Sequence, residues 1–119
     1  MSNRFLSIAS AAILAAGVMQ AQAEALSLEE RIAKGLALAE DRNAGNCFAC
    51  HGAEGAELPG NSGPPFIMMK MRFPDREVLK AQIADPRVRN PNTNMPPYGA
   101  HYILTDQELD WVVDYVHSL

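Results

Sequence analysis

The chain has 119 residues, 48% of them hydrophobic and 20% charged, with a formal net charge of −4 at pH 7. No run of basic residues offsets that acidity, which excludes the usual footprint of a nucleic-acid or anionic-membrane binder. Only two cysteines occur, Cys47 and Cys50, so no framework of disulfides holds the fold.

Asn3 and Arg4, the apolar run from Phe5 to Met19 and the small-residue stretch Gln20 to Ala23 read as a signal peptide over residues 1–23. Cleavage is expected after Ala23, at an A-x-A site. The competing reading, a transmembrane anchor, needs roughly 20 apolar residues, more than this run supplies. Residues 24–119 then form one exported domain, expected in the periplasm and one charge more negative for the loss of Arg4. A domain so short sits near the lower limit of what an apolar core of side chains alone stabilises.

Ser27 with Glu30 has the form of a capping box, and Leu28, Ile32, Leu36 and Ala39 follow at helical spacing, which predicts a first helix from Leu28 to about Glu40. Gly35 inside it costs about 1 kcal/mol relative to alanine. It marks a close approach of another element, for which Trp111 and Tyr115, one turn apart near the C-terminus, are the expected partners. The chain then turns through Asn43 and Gly45 into the cysteines. Residues 52–66 are rich in Gly and Pro and read as loop. Pro74 and Asp75 open a middle helix with Val78, Leu79 and Ile83 on one face, ended near Asp85 by Pro86. Asn90 to Gly99 holds three prolines and three asparagines and is irregular. Thr105 with Glu108 forms a second capping box, and Leu109, Val112, Val113 and Val116 mark a last helix to about Ser118. No segment alternates like a strand. The expected architecture is all-α, about three helices and long loops wrapped around something that the chain does not itself contain.

Cys47-Phe48-Ala49-Cys50-His51 is the attachment pattern of a c-type haem. Two thiols one turn apart can each add to a vinyl group of the ring, and the adjacent imidazole then lies under the iron. A disulfide between these cysteines would close too short a loop to stabilise much. A thioredoxin-like pair needs a preceding strand in a βαβ unit, and a zinc site needs two further ligands where only His101 and His117 remain. One covalent haem c is therefore expected, with Cys47, Cys50 and His51 as its attachment points and His51 as proximal ligand.

Sixth-ligand candidates are Met68, Met69, Met71, Met95, His101 and His117. Met95, in the rigid Asn94-Met95-Pro96-Pro97 segment, is favoured, and His101 is its main competitor. Met68, Met69 and Met71 are expected to pack as adaptable core, and His117 to be a solvated residue favourable to the helix dipole. A ligating histidine normally donates its other ring nitrogen to a fixed acceptor. The carbonyl of Pro64, in the stiff Gly63-Pro64-Pro65 turn, is the expected one, against the plainer reading of a surface turn. With both axial positions filled, the iron exchanges electrons and offers no vacant site. No catalytic residue is expected.

Together these features resemble class I c-type cytochromes. The resemblance narrows past residue 40: Gly45 to His51, Pro59 to Pro65, Phe73-Pro74-Asp75, Asn90 to Gly99, and Ile103-Leu104-Thr105 are similar to the SoxX family, mono-haem subunits of the periplasmic SoxAX complex of thiosulfate oxidation. The Met-rich Met68 to Met71 stretch departs from that pattern. The resemblance implies a heterodimer with a SoxA-type cytochrome, whose haem and cysteine carry the sulfur chemistry. It also implies action through that complex on a SoxYZ-type carrier protein, to whose cysteine thiosulfate is joined with release of two electrons. Both thiols of this chain are consumed by the haem, so its part is to accept or relay electrons. A free periplasmic carrier cytochrome is the alternative, and a haem-based gas sensor is a third reading that needs an open iron.

Overall fold

Two capping boxes set the two long helices. In the computed structural model, which describes residues 25–119, the Ser27 hydroxyl accepts from the Glu30 amide and Glu30 accepts from the Ser27 amide, starting α1 (Leu28–Glu40). Thr105 and Glu108 repeat the arrangement at the start of α4 (Asp106–Ser118). The signal peptide expected over residues 1–23 lies outside the described residues. Between the long helices come a 3-10 turn at Cys47–Ala49, α2 (Met69–Arg72), α3 (Arg76–Ala84), and a 3-10 turn at Pro86–Val88. The described residues contain no strand, so the all-α architecture holds, with four α-helices where the sequence pattern gave three.

The additional helix α2 is only four residues long. It carries no local cap and starts from Met68 in the left-handed region (φ 49°). A tertiary bond, the Met69 amide on the Leu119 carbonyl at 2.7 Å, docks it on the C-terminus. Of the three methionines expected in the core, only Met69 is there, 3% exposed. Met68 and Met71 are 60% and 76% exposed, because a single helical turn has room for one inward side chain. Exposure corrects the other helices too: Leu28 and Val78, placed by periodicity on inner faces, are about half exposed, at 54% and 47%.

The main contact is α1 against α4. Gly35 is buried where they cross, and a Cβ there would overlap the Trp111 carbonyl oxygen and press on the Cβ of Tyr115. The sequence pointed to an aromatic partner, but the partner is chiefly backbone. The Trp111 ring instead lies under the Lys34 ammonium, 5.0 Å from its centroid. From α4, Val112, Val113 and Val116 are the most completely buried core side chains, and Leu79 and Ile83 of α3 meet the same cluster.

An ion network ties the three longer helices. Asp114, 5% exposed, accepts from Arg76 Nε at 2.7 Å and faces Arg31 Nη1 of α1 at 3.2 Å. Arg76 Nη2 and Lys80 Nζ of α3 reach Asp110 Oδ1 at 3.2 and 2.8 Å. Burial opposes ionisation of Asp110, but hydrogen bonds from Lys80 and Arg76 outweigh it and hold the carboxyl below its ordinary 3.8.

Substituting Gly35→Ala should therefore lower stability by about 2 to 3 kcal/mol, through overpacking rather than altered helix propensity, read by chemical denaturation of the intact holoprotein. With the native Asp110 carboxyl depressed, its contribution is complete above the ordinary value and disappears as pH falls through the lower native one. The thermal midpoint should accordingly hold from pH 8 to about 5 and drop below about pH 4, and Lys80→Met should weaken that acid dependence.

Candidate functional site

A cavity of about 630 Å³ opens between α3, α4 and the two long loops. Its walls are largely apolar, with Phe66, Leu79, Ile83, Leu104, Val112 and Val116 among them. The apolar side chains around a space of that volume lack packing partners on one side, a deficit that a bound group would make good. The cavity is therefore shaped for an occupant of cofactor size that completes the core.

The cysteine motif forms one rim. α1 stops at Asp41, and the Gly45 and Asn46 amides bond back to the carbonyls of Leu38 and Asp41, at 3.0 and 2.9 Å. Asn46 takes the left-handed conformation (φ 49°) that asparagine tolerates well. The 3-10 turn at Cys47–Ala49 then carries Cys47 and Cys50 to the cavity wall as separate thiols. Burial pushes the Cys47 thiol up to about 11, so at neutral pH it is an uncharged group at an apolar boundary.

His51 follows at the same rim. The Pro64 carbonyl accepts from its Nδ1 at 2.6 Å, and because a carbonyl only accepts, Nδ1 holds the proton and Nε2 keeps its lone pair. Phe66 stacks on the ring at 4.6 Å and 19°. Gly63 packs so closely that a Cβ there would overlap the imidazole. Three amides lock the loop over the motif: Gly60 on Phe48, Gly63 on Cys50 and Phe66 on Gly52, at 2.8, 2.8 and 2.7 Å. The ring therefore has one available orientation, with its basic nitrogen left for a ligand.

Met95 lines the cavity from the Asn90–Gly99 loop. Its amide donates to Thr93 Oγ1 at 3.1 Å. The buried Tyr98 hydroxyl donates to the Gly45 carbonyl at 2.6 Å, joining this loop to the residue two positions before Cys47. Burial pushes the Tyr98 phenol up to about 12, so it remains a donor at any working pH. The amides of Gly99 and Ala100 both bond the Ala84 carbonyl, each at 3.0 Å, fixing the loop to the end of α3.

The remaining sixth-ligand candidates separate by position. His101 is exposed, with Nε2 3.2 Å from Arg87 Nη1, and does not line the cavity. His117 is not the solvated residue expected: its Nε2 lies 2.9 Å from the Phe73 carbonyl. Met68 and Met71 face outward. Met69 does line the cavity, but its sulfur accepts from Arg72 Nη1 at 3.3 Å. Cys47, Cys50, His51, Pro64 and Met95 thus share one cavity. Among the described residues no three His, Cys, Asp or Glu side chains converge as a metal-binding group would, which leaves the zinc reading without a donor set. Sequence reasoning missed Phe66, Tyr98 and Arg72. Tyr98 had one available sign, an aromatic hydroxyl directly after two prolines.

Among the described residues no helix is long and apolar enough to cross a membrane. No curated protein matches the chain. The model of a family described as cytochrome c oxidase, cbb3-type, subunit III matches residues 30–116, from the first turn of α1 to the last of α4 and across the whole cavity. The chain belongs to this family of c-type cytochrome domains and is an electron-transfer protein with covalently bound haem c.

Proposed function

We propose that this cytochrome is the mono-haem subunit of a periplasmic SoxAX-type complex, which joins thiosulfate oxidatively to a cysteine of a SoxYZ-type carrier protein. In it the chain accepts or relays the released electrons. The observation that carries this reading is the placement of the only two thiols, both at the rim of the haem cavity. Both are used as thioether links, so no sulfur nucleophile remains, and the chain acts beside a SoxA-type partner and not as the catalyst itself. The long run Asn90 to Gly99, around Met95, is the most specific part of its likeness to SoxX.

The residues divide the work. Cys47 and Cys50 would hold the ring and His51 Nε2 would ligate the iron, and Pro64 keeps that imidazole in the tautomer that leaves Nε2 basic. Met95, from a loop pinned by Tyr98 and Thr93, would supply the second iron ligand. Bound there, haem supplies a one-electron iron couple, and a thioether opposite an imidazole favours its ferrous state. Leu79, Ile83, Leu104, Val112 and Val116 keep water from the ring, which also raises the potential. With His51 and Met95 both bound to it, the iron would offer substrate chemistry no opening.

A second reading is favoured by the family match itself: a free periplasmic carrier that passes electrons to a terminal oxidase. Co-expression with a SoxA-type subunit discriminates between them. The first reading expects a single size-exclusion peak containing both haem proteins, and a stable lone monomer under those conditions supports the carrier.

For the axial ligands, the oxidised protein should show the weak far-red sulfur-to-iron band, and the reduced protein should keep its spectrum under carbon monoxide. Met95→Ala should retain covalent haem, lose the band, bind carbon monoxide and have a lower potential. A band that survives in Met95→Ala and disappears in Met69→Ala would move the distal ligand to Met69.

A further inference from the structure

The haem cavity carries side-chain charge of one sign. Of the nine lysines and arginines among the described residues only Arg72 and Arg89 line it, and no Asp or Glu of the described residues does, in a chain of net charge −4. Elsewhere Arg31 pairs with Asp114, Arg76 with Asp110 and Asp114, Lys80 with Asp110, and Arg87 with Asp85, while Lys34, Arg42 and Lys70, which make no ion pair among the described residues, do not line the cavity. Arg72 and Arg89 have no carboxylate partner among the described residues. Arg72 is engaged only through Nη1, on the Pro65 carbonyl at 2.8 Å and the Met69 sulfur at 3.3 Å, which leaves Nε and Nη2 free to donate. Both guanidiniums are exposed at the mouth of the cavity and solvated there, and with no carboxylate of the described residues beside them they would complement anions carried by the ligand.

Haem brings two carboxylates, its propionates, on the side of the ring away from the pyrroles that thioethers would join to Cys47 and Cys50. Arg72 is fixed to Pro65, next to the residue that holds His51. Arg89 stands just after the 3-10 turn at Pro86–Val88, at the start of the loop that carries Met95. We propose that Arg72 and Arg89 bind the two haem propionates, one arginine from the wall of each axial ligand, and thereby help set the reduction potential. The inference rests on haem occupying this cavity, and is independent of which partner exchanges electrons with it.

An arginine paired with a propionate keeps that carboxylate ionised while cancelling its charge near the iron. Without the arginine the bare carboxylate disfavours the added electron, and it takes up a proton more readily. The other titratable side chains lining the cavity are Cys47, Cys50, His51 and Tyr98. The cysteines are consumed as thioethers, His51 is held by iron, and Tyr98 is pushed up to about 12. Between pH 5 and 8 the propionates are therefore the groups left to respond.

The test is a spectroelectrochemical titration of the holoprotein and its R72Q, R89Q and R87Q variants across that range. R87Q removes an exposed arginine that is paired with Asp85 and does not line the cavity. The parent and R87Q should give one potential nearly independent of pH. R72Q and R89Q should each fall below it at pH 8 and rise toward it at pH 5, with the far-red thioether band intact. R72K should recover part of the loss at pH 8, keeping the charge but not the fork. A titration of R72Q or R89Q that superimposes on R87Q, or a lowered potential accompanied by loss of the band, overturns the assignment. A parent protein without covalent haem would instead remove the cofactor reading beneath it.

Discussion

The geometry depends on a central space that side chains do not fill. α1 and α4 are pressed together until Gly35 lies against the Trp111 backbone, with no room for even a Cβ. On the other side of α4, Val112 and Val116 face a cavity of about 630 Å³ that no side chain fills. A domain this small cannot maintain such a space by its own contacts. Haem is thus part of the core in the same sense as Val113, and folding and cofactor retention draw on the same free energy.

That constraint explains how the loops hold their shape. Two long irregular segments meet the cavity from opposite walls, and each is fixed by hydrogen bonds to backbone carbonyls. The Pro64 carbonyl fixes His51, and the Gly45 carbonyl fixes Tyr98 and with it the Met95 loop. Carbonyls in turns have no helix or sheet partner competing for them. Prolines at 64, 65, 96 and 97 reduce the number of conformations these segments lose on ordering. Gly45 also lies two residues before Cys47, so the Tyr98 bond closes a ring from the attachment turn to the distal loop. His51 and the Met95 loop are thereby referred to the same short stretch of backbone.

What could be read in the sequence was whatever is decided locally. Capping boxes are four-residue signals, so α1 and α4 begin where Ser27 and Thr105 put them. Asp75 and Pro86 bound α3 for the same reason. The C-x-x-C-H pattern is local as well, and its turn geometry follows from spacing. Features that escaped are settled at a distance. α2 has no cap and depends on Leu119, fifty residues on from Met69 in sequence. Whether Met68, Met69 or Met71 turns inward is likewise chosen by that docking. His117 looked solvated because nothing in the last turn reveals that the Phe73 carbonyl lies within reach. Arg72 and Arg89 gave no sign either, since which cations line the cavity, and that no carboxylate of the described residues does, is visible only in the folded chain.

Because the iron is held inside the core, its oxidation state and the stability of the fold are linked. Any interaction that favours the ferrous form raises the potential, and by reciprocity it makes the reduced protein harder to unfold than the oxidised one by the same free energy. A thioether ligand and apolar walls both act in that direction. With Met95 as the proposed sixth ligand, a loop that let it leave would lose potential and reduced-state stability together. The Tyr98 bond, the double grip of Gly99 and Ala100 on the Ala84 carbonyl, and the Thr93 hydroxyl on the Met95 amide all oppose that movement. They lie outside the coordination sphere, yet they govern how long the iron keeps the environment in which it exchanges electrons and nothing else.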